Sequence, residues 1–273
     1  MVAVVVTTRN SASTLEPCLA SIRAQRGPTV DLVVVDNHST DGTVPIALRY
    51  ADRVVVAGPE RSRQRNLGAD AAIGDCLLFI DSDMVLPPSV AGECIDQISM
   101  GAGAVVIPER SIGEGFWAAC KAFERSLYAG DDTIEAPRCF TRSAFLLAGR
   151  YDEGLYAGED WDLANRVRAS HILVARTATE ILHDEGRLRL SDAMRAKFYY
   201  GGSMARYIRR HPRMARRQLV PFRKAYIRHG DKLFHSPLLA TGMIVMRALE
   251  VVAGGAGLLA SLRRDPHVIT LGR

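Results

Sequence analysis

The chain has 273 residues, of which 48% are hydrophobic and 24% charged. This excludes disorder as the dominant state and leaves room for one large domain, or a domain with an appendage. The net charge of +5 joins two unlike parts: residues 1–186 hold 17 Lys/Arg against 26 Asp/Glu, a net of −9, whereas residues 187–273 hold 18 against 4, a net of +14. Cys18, Cys76, Cys94, Cys120 and Cys139 are odd in number and widely spaced, which argues against a zinc site or a disulfide framework and for reduced thiols in a cytoplasmic protein.

The first apolar run, Val2 to Val6, is too short for a signal-peptide core and has no basic segment before it. It reads as a strand, Val2–Thr7. Ser13-x-x-Glu16 has the form of a capping box and predicts a helix to about Gln25. Further strands are predicted at Val30–Asp36, Arg53–Ala57, Cys76–Ile80 and Gly101–Ile107, with helical stretches between them. Continuous apolar strands alternating with helices predict a mostly parallel sheet buried on both faces. Such open α/β sheets bind ligands beyond the carboxyl ends of their strands.

Those ends are polar: Thr7-Thr8-Arg9-Asn10, then Asp36-Asn37-His38-Ser39-Thr40-Asp41-Gly42, then Asp81-Ser82-Asp83. Strand termination and helix capping account for the second segment. They account less well for the third, where two acids follow an apolar strand and repel each other unless a cation lies beside them. The chain has neither G-x-x-x-x-G-K-[ST] nor a G-x-G-x-x-G after its first strand. A metal and arginines would therefore have to carry any phosphate binding. A second acidic group, Gly158-Glu159-Asp160-Trp161-Asp162-Leu163, opens a helical pattern reaching about Ala169, and His183-Asp184 follows. Acids in a first helical turn also complement the helix dipole.

Taken together these segments resemble the family 2 glycosyltransferases over residues 2 to about 186. Val4-Val5-Val6-Thr7-Thr8-Arg9-Asn10 is similar to the family's first strand and turn, and Val33 to Thr43 to its nucleotide-binding second strand. Arg65-Asn66-Leu67-Gly68 with Asp81-Ser82-Asp83 is similar to the D-x-D region, and Gly158 to Leu163 to the E-D motif. The resemblance implies a GT-A type fold, α/β with a mostly parallel sheet flanked by helices. It implies an inverting transfer of a sugar from a nucleotide-sugar donor, with a divalent metal, Mn2+ or Mg2+, offsetting the charge of the leaving diphosphate.

Implied roles follow residue by residue. Asp83 is the main metal ligand, and His183 is either a second ligand or a strand-end histidine. Asp81 contacts the ribose or supports the metal, beside Ser82. Asp160 is the general base. Glu159 and Trp161 shape the acceptor site, although Trp161 fits a core position equally well. Thr7, Arg9, Asp36 and Asn37 are placed for the nucleotide, and Arg65 for its diphosphate; Arg61 and Arg63 read as solvated helix-start charges. Asn37 departs from a common family form, which has a second acid there, so UDP, dTDP and GDP stay unseparated. A sugar nucleotidyltransferase would need a glycine-rich N-terminal signature that Thr7-Thr8-Arg9-Asn10 does not supply. An inactive scaffold would not need Asp81, Asp83 and Asp160.

The resemblance fades soon after His183, which predicts a catalytic domain over 1–186 and a basic helical region over 187–273. That region sets Arg206, Arg209, Arg210, Arg213, Arg216, Arg217, Arg223 and Arg228 among Tyr199, Tyr200, Tyr207, Phe222 and Tyr226. Without a nucleic-acid motif, and beside an acidic body, it does not predict a nucleic-acid partner. A solvated helical face, an anionic membrane surface and an anionic acceptor are the open alternatives. Pro237 to Leu262 is mostly apolar, but Arg247 and Glu250 interrupt it, each costing roughly 2.5–3.5 kcal/mol at a bilayer centre. Their spacing lets them pair on one helix face, and Gly254, Gly255 and Gly257 weaken the helix. The segment is expected to pack on the body, on a partner or second copy, or to lie in a membrane interface.

Overall fold

A computed structural model describes residues 1–220, 226 and 228–264. Phe222 and Arg223 lie outside the described residues. The chain forms two compact units, each assembled from separate stretches. The first comprises Met1–Arg110, Glu135–Glu153 and Glu159–Asp184; the second comprises Ser111–Ile134, Gly154–Gly158 and Glu185–Arg273. The charge break near residue 186 falls at the last of these crossings. The earlier excursions, 111–134 and 154–158, have no charge signature to mark them.

The first unit begins β1 (Val2–Thr8), α1 (Leu15–Arg23), β2 (Val30–Asp36), α2 (Thr43–Tyr50), β3 (Arg53–Val56), α3 (Arg61–Ala71), β4 (Cys76–Asp81), β5 (Met84–Val85), α4 (Val90–Ser99) and β6 (Ala104–Val106). β7 (Glu109–Glu114) carries the chain out to α5 (Gly115–Tyr128). The first unit resumes with β8 (Pro137–Thr141), α6 (Arg142–Leu147), α7 (Glu159–Ala169) and β9 (Val174–Arg176), and β10 (Ile181–Arg187) leads out again. α8 (Leu190–Arg210), α9 (Pro212–Gln218), α10 (Gly230–His235) and α11 (Pro237–Arg264) follow.

Seven strands form one sheet in the order β3-β2-β1-β4-β8-β6-β9. β1 pairs in parallel with β2 and β4, and β2 with β3. β8 runs antiparallel to β4 and β6. Side chains alternate between two cores. Val2, Val4, Val6, Leu32, Val34, Leu78 and Ile80 enter one; Ala3, Val5, Val33, Val35, Leu77 and Phe79 enter the other. Burial on both faces is why these strands read as unbroken apolar runs. α1 covers the first core with Leu15, Cys18, Leu19 and Ile22, one stripe at helical spacing.

The expected capping box does not form. α1 starts at Leu15 after Thr14, with no side-chain cap. The Thr14 and Leu15 amides donate instead to the Ser11 carbonyl, and Glu16 accepts from Arg49 and Tyr50. Gly68 lets α3 lie close on the sheet, since a Cβ there would fall 2.2 Å from Val5 Cγ1.

In the second unit α11 packs against α8 and α5. The glycines that the sequence suggests would weaken α11 are sites of close approach. A Cβ on Gly257 would sit 1.9 Å from the Phe198 carbonyl oxygen, and one on Gly201 2.3 Å from that of Gly254. The helix is unbroken because its lost propensity is offset by that contact. The polar centre of α11 is paired as its spacing predicts: Arg247 Nη1 donates to Glu250 Oε2 at 2.9 Å. Lys121 adds contacts to Glu124 at 3.0 Å and Glu250 at 3.7 Å, and Tyr226 donates to Glu124 at 2.8 Å. Tyr207 and Tyr226 are buried, so these two aromatics of the basic region are core residues and offer no stacking surface.

Candidate active site

The parallel order of β2, β1 and β4 brings their three polar ends to one edge of the sheet. Thr8 lies opposite Asp36 and Thr7 opposite Asp81. Asp36 is fully buried, and its carboxylate accepts from the Thr8 hydroxyl at 2.8 Å and the Ser39 amide at 2.8 Å. It therefore braces the strand end. Thr7 is also buried. Arg9 is exposed and Asn37 half-buried, which leaves these two available at the edge. Gln64, which the sequence did not single out, ties the ends of β1 and β2 by donating to the Thr8 and Val35 carbonyls.

α3 turns Arg65 beneath this edge. Its side chain is 1% exposed, and no solvated position remains for it. Nη2 donates to Asp81 Oδ1 and Nη1 to Asp160 Oδ1, each at 2.8 Å, while Glu159 Oε1 lies 3.4 Å from Nη1. The guanidinium also lies 5.0 Å from the centre of the Tyr151 ring, within cation–π range. Arg65 was expected at the diphosphate, but it is consumed by carboxylates because a buried cation must be paired. Arg61 reaches Glu159 Oε1 at 3.5 Å, so it is not simply a solvated charge; Arg63 is exposed.

Arg138 on β8 completes the arrangement. It reaches Asp81 Oδ2 at 3.2 Å and Glu109 Oε1 at 2.7 Å. The cation that two adjacent acids demand is thus a pair of arginines. Burial would raise the Asp81 carboxyl, but Arg65 and Arg138 outweigh it and hold it well below the usual carboxylate range. With both oxygens on arginines, Asp81 supports the site, and its side chain keeps 15% exposure. Burial, and then the charge of Asp160, push Glu159 up. Glu159 is 3% exposed, so it is an internal partner of Arg65 rather than a wall of an acceptor site. Asp160 keeps 31% of its side chain exposed. Trp161 and Ser82 are half-buried, and Ser82 Oγ donates to Ser11 Oγ at 2.9 Å.

β10 pairs with β5, setting His183 opposite Met84, and the Asp184 amide donates to the Asp83 carbonyl at 2.8 Å. His183 Nε2 comes within 3.5 Å of Asp83 Oδ2, and Nδ1 lies 3.0 Å from Glu109 Oε2. Burial would lower the His183 imidazole, but its bonds to Asp83 and Glu109 push it up to about 10. Asp83 Oδ1 is buried without a hydrogen-bond partner. Among the described residues no group of three or more His, Cys, Asp or Glu forms a metal cage. An orphaned carboxylate oxygen beside an imidazole does fit a divalent cation of the kind that takes few protein ligands and fills its shell with substrate phosphates and water.

Sequence reading missed Arg138, Glu109 and Gln64. The only trace of Arg138 is a charge within the short apolar strand Pro137–Thr141.

A family model, glycosyl transferase family 2, matches residues 3–146, and the chain belongs to that family. The chain is 29% identical to the pre-mycofactocin glycosyltransferase of Mycobacterium tuberculosis over 96% of its own length and 55% of that protein. It is 32% identical to the succinoglycan biosynthesis protein ExoO of Rhizobium meliloti over 58% of its length and 53% of that protein. It thus spans about half the length of these curated relatives. Among solved structures, the mannosyltransferase PcManGT of Pyrobaculum calidifontis, in complex with GDP-Man and Mn2+, superposes with a TM-score of 0.67 at 19% identity, covering 94% of this chain and 86% of that one. That likeness shows a shared GT-A fold.

Proposed function

We propose that this chain is an inverting, metal-dependent glycosyltransferase that moves a sugar from a nucleotide diphosphate donor to an acceptor hydroxyl or phosphate. The observation that carries this reading is the fork of Arg65, which holds the D-x-D residue Asp81 and the acid Asp160 at one end of the sheet. Asp160 is tethered through one oxygen and partly exposed, as a base needs to be to meet an incoming acceptor. It removes the acceptor's proton as the acceptor oxygen attacks the anomeric carbon. A single displacement inverts that carbon and needs no second protein nucleophile. Asp83 and His183 are the residues that would hold a divalent cation, Mn2+ or Mg2+, and such a cation would supply neutralisation of the charge developing on the diphosphate. The GDP-Man and Mn2+ of the mannosyltransferase complex support this donor and metal class. Arg9 and Asn37 are the donor-facing candidates at the strand ends.

The enzyme acts at an anionic membrane surface. α11 has the length and composition of a spanning helix, yet only 22% of its most apolar window is buried. Leu238, Val245, Leu249, Val252 and Leu259 stand exposed along it. Arg209, Arg213, Arg216 and Arg217 are exposed in the same unit, and each basic residue near an anionic surface contributes about 1 kcal/mol.

A thermal-shift screen of nucleotide sugars with Mn2+ tests the catalytic reading. One donor class should raise the melting temperature of the wild type, and Asp83→Ala should lose the metal-dependent part of that rise. No response to any donor, or an unchanged response in Asp83→Ala, overturns it.

A further inference from the structure

We propose that Glu109 is a positioning residue for the cation site: it fixes the ring of His183 so that Nε2 faces the cation held with Asp83. The proposal rests on the reading of Asp83 and His183 as metal ligands. Glu109 Oε2 lies 3.0 Å from His183 Nδ1. An ionised carboxylate has no proton to give, so Nδ1 is the donor. A cation ligated by imidazole then has only Nε2 to use; Nε2 lies 3.5 Å from Asp83 Oδ2, another ionised carboxylate, so the proton on Nε2 must leave to solvent when a cation takes its place. Carboxylate partners of this kind set the tautomer and orientation of ligating histidines.

Glu109 is itself held. Its other oxygen, Oε1, accepts from Arg138 Nε at 2.7 Å, and Arg138 Nη1 donates to Asp81 Oδ2 at 3.2 Å. Arg138 thus leaves Oε2 for His183, and the first acid of the D-x-D triplet is joined to the histidine through Arg138 and Glu109. Backbone pairing anchors both ends: β10 holds His183 beside β5, and the Asp184 amide holds the Asp83 carbonyl. The buried, unpartnered Asp83 Oδ1 is the second donor atom of the site.

Two substitutions separate positioning from charge. Glu109→Asp keeps the charge beside Arg138 but withdraws the oxygen from Nδ1. Glu109→Gln removes the charge but keeps an acceptor for Nδ1–H. Affinity for Mn2+ alone, measured by electron paramagnetic resonance titration on the full chain, should fall about 10-fold in Glu109→Asp, a loss typical of outer-shell partners, and less in Glu109→Gln. In a His183→Ala background Glu109→Asp should cost nothing further, because its effect runs through the imidazole. The reverse order of the two variants, or an equal loss in both backgrounds, overturns positioning in favour of a charge effect. If His183→Ala and Asp83→Ala both leave Mn2+ affinity unchanged, the metal reading itself fails and the role of Glu109 falls with it. Circular dichroism on each variant confirms that folded protein is being compared.

Discussion

Arg65 and Asp160 stand 95 positions apart in the chain, yet the guanidinium of one donates to the carboxylate of the other at 2.8 Å while its second nitrogen holds Asp81 at the same distance. One buried side chain therefore sets the relative placement of the candidate base and the D-x-D triplet. Removing it leaves Asp81 paired with Arg138 alone among the described residues, and Glu159 with Arg61 at 3.5 Å. Arg65→Ala is expected to lower stability by about 3–5 kcal/mol, the usual cost of stripping one partner from a buried ion pair. Arg65→Lys should recover only part, because an ammonium does not span both carboxylates as a planar fork does. Urea denaturation of the three proteins checks this; equal midpoints would show that the network contributes nothing.

Asp160 is more exposed than its neighbours, and Asn matches its shape. Asp160→Asn is expected to fold and to bind donor as the wild type does, with turnover reduced about 10²–10⁴-fold, the range for loss of a general base. Calorimetric donor titration beside a steady-state assay separates binding from chemistry. Undiminished turnover would reject Asp160 as the base.

Glu250 predicts an acid-dependent stability. Burial would raise its carboxyl, but Lys121 and Lys197 outweigh burial and hold it below its ordinary value of 4.5. A depressed carboxyl adds stability above its unfolded value and loses it as pH falls through its folded one. Glu250→Gln should thus be less stable than the wild type at pH 7, with the gap constant down to about pH 5 and closing below pH 4.5. Denaturation midpoints between pH 7 and pH 3 show the gap beginning to close below the unfolded value; a gap that widens as the pH falls would contradict the ion pairing.

Val252 is 70% exposed on α11. Val252→Glu is expected to leave the melting temperature unchanged and to abolish co-sedimentation with phosphatidylserine vesicles, and 0.5 M salt, about a 4 Å screening length, should weaken the wild-type interaction. If the substitution instead converts a dimer to a monomer in sedimentation equilibrium, a second copy covers the stripe and the membrane reading is lost.

Much of the fold is legible in the chain. Val30–Asp36 is a strand at its expected bounds, and β1 and β4 each extend one residue beyond theirs, because buried parallel strands must be apolar throughout. α7 begins at Glu159, within the acidic segment that marks it. The capping box fails because the Glu16 carboxylate that would close it accepts instead from Arg49 and Tyr50. The glycines of α11 mislead for a related reason: propensity describes an isolated helix, whereas Gly257 answers to the backbone of Phe198.

The sequence by itself determined the sheet, the family resemblance and the acids at the strand ends, since each follows from local periodicity or from short motifs. It also required a cation beside Asp81-Ser82-Asp83, from electrostatics alone. Only the tertiary structure decided which cations those were. Arg65 and Arg138 reach Asp81 from α3 and β8, and Glu109 and His183 meet across 74 positions. Those pairings depend on strand order and on the need to satisfy every buried charge, and neither is written into any one segment of the chain.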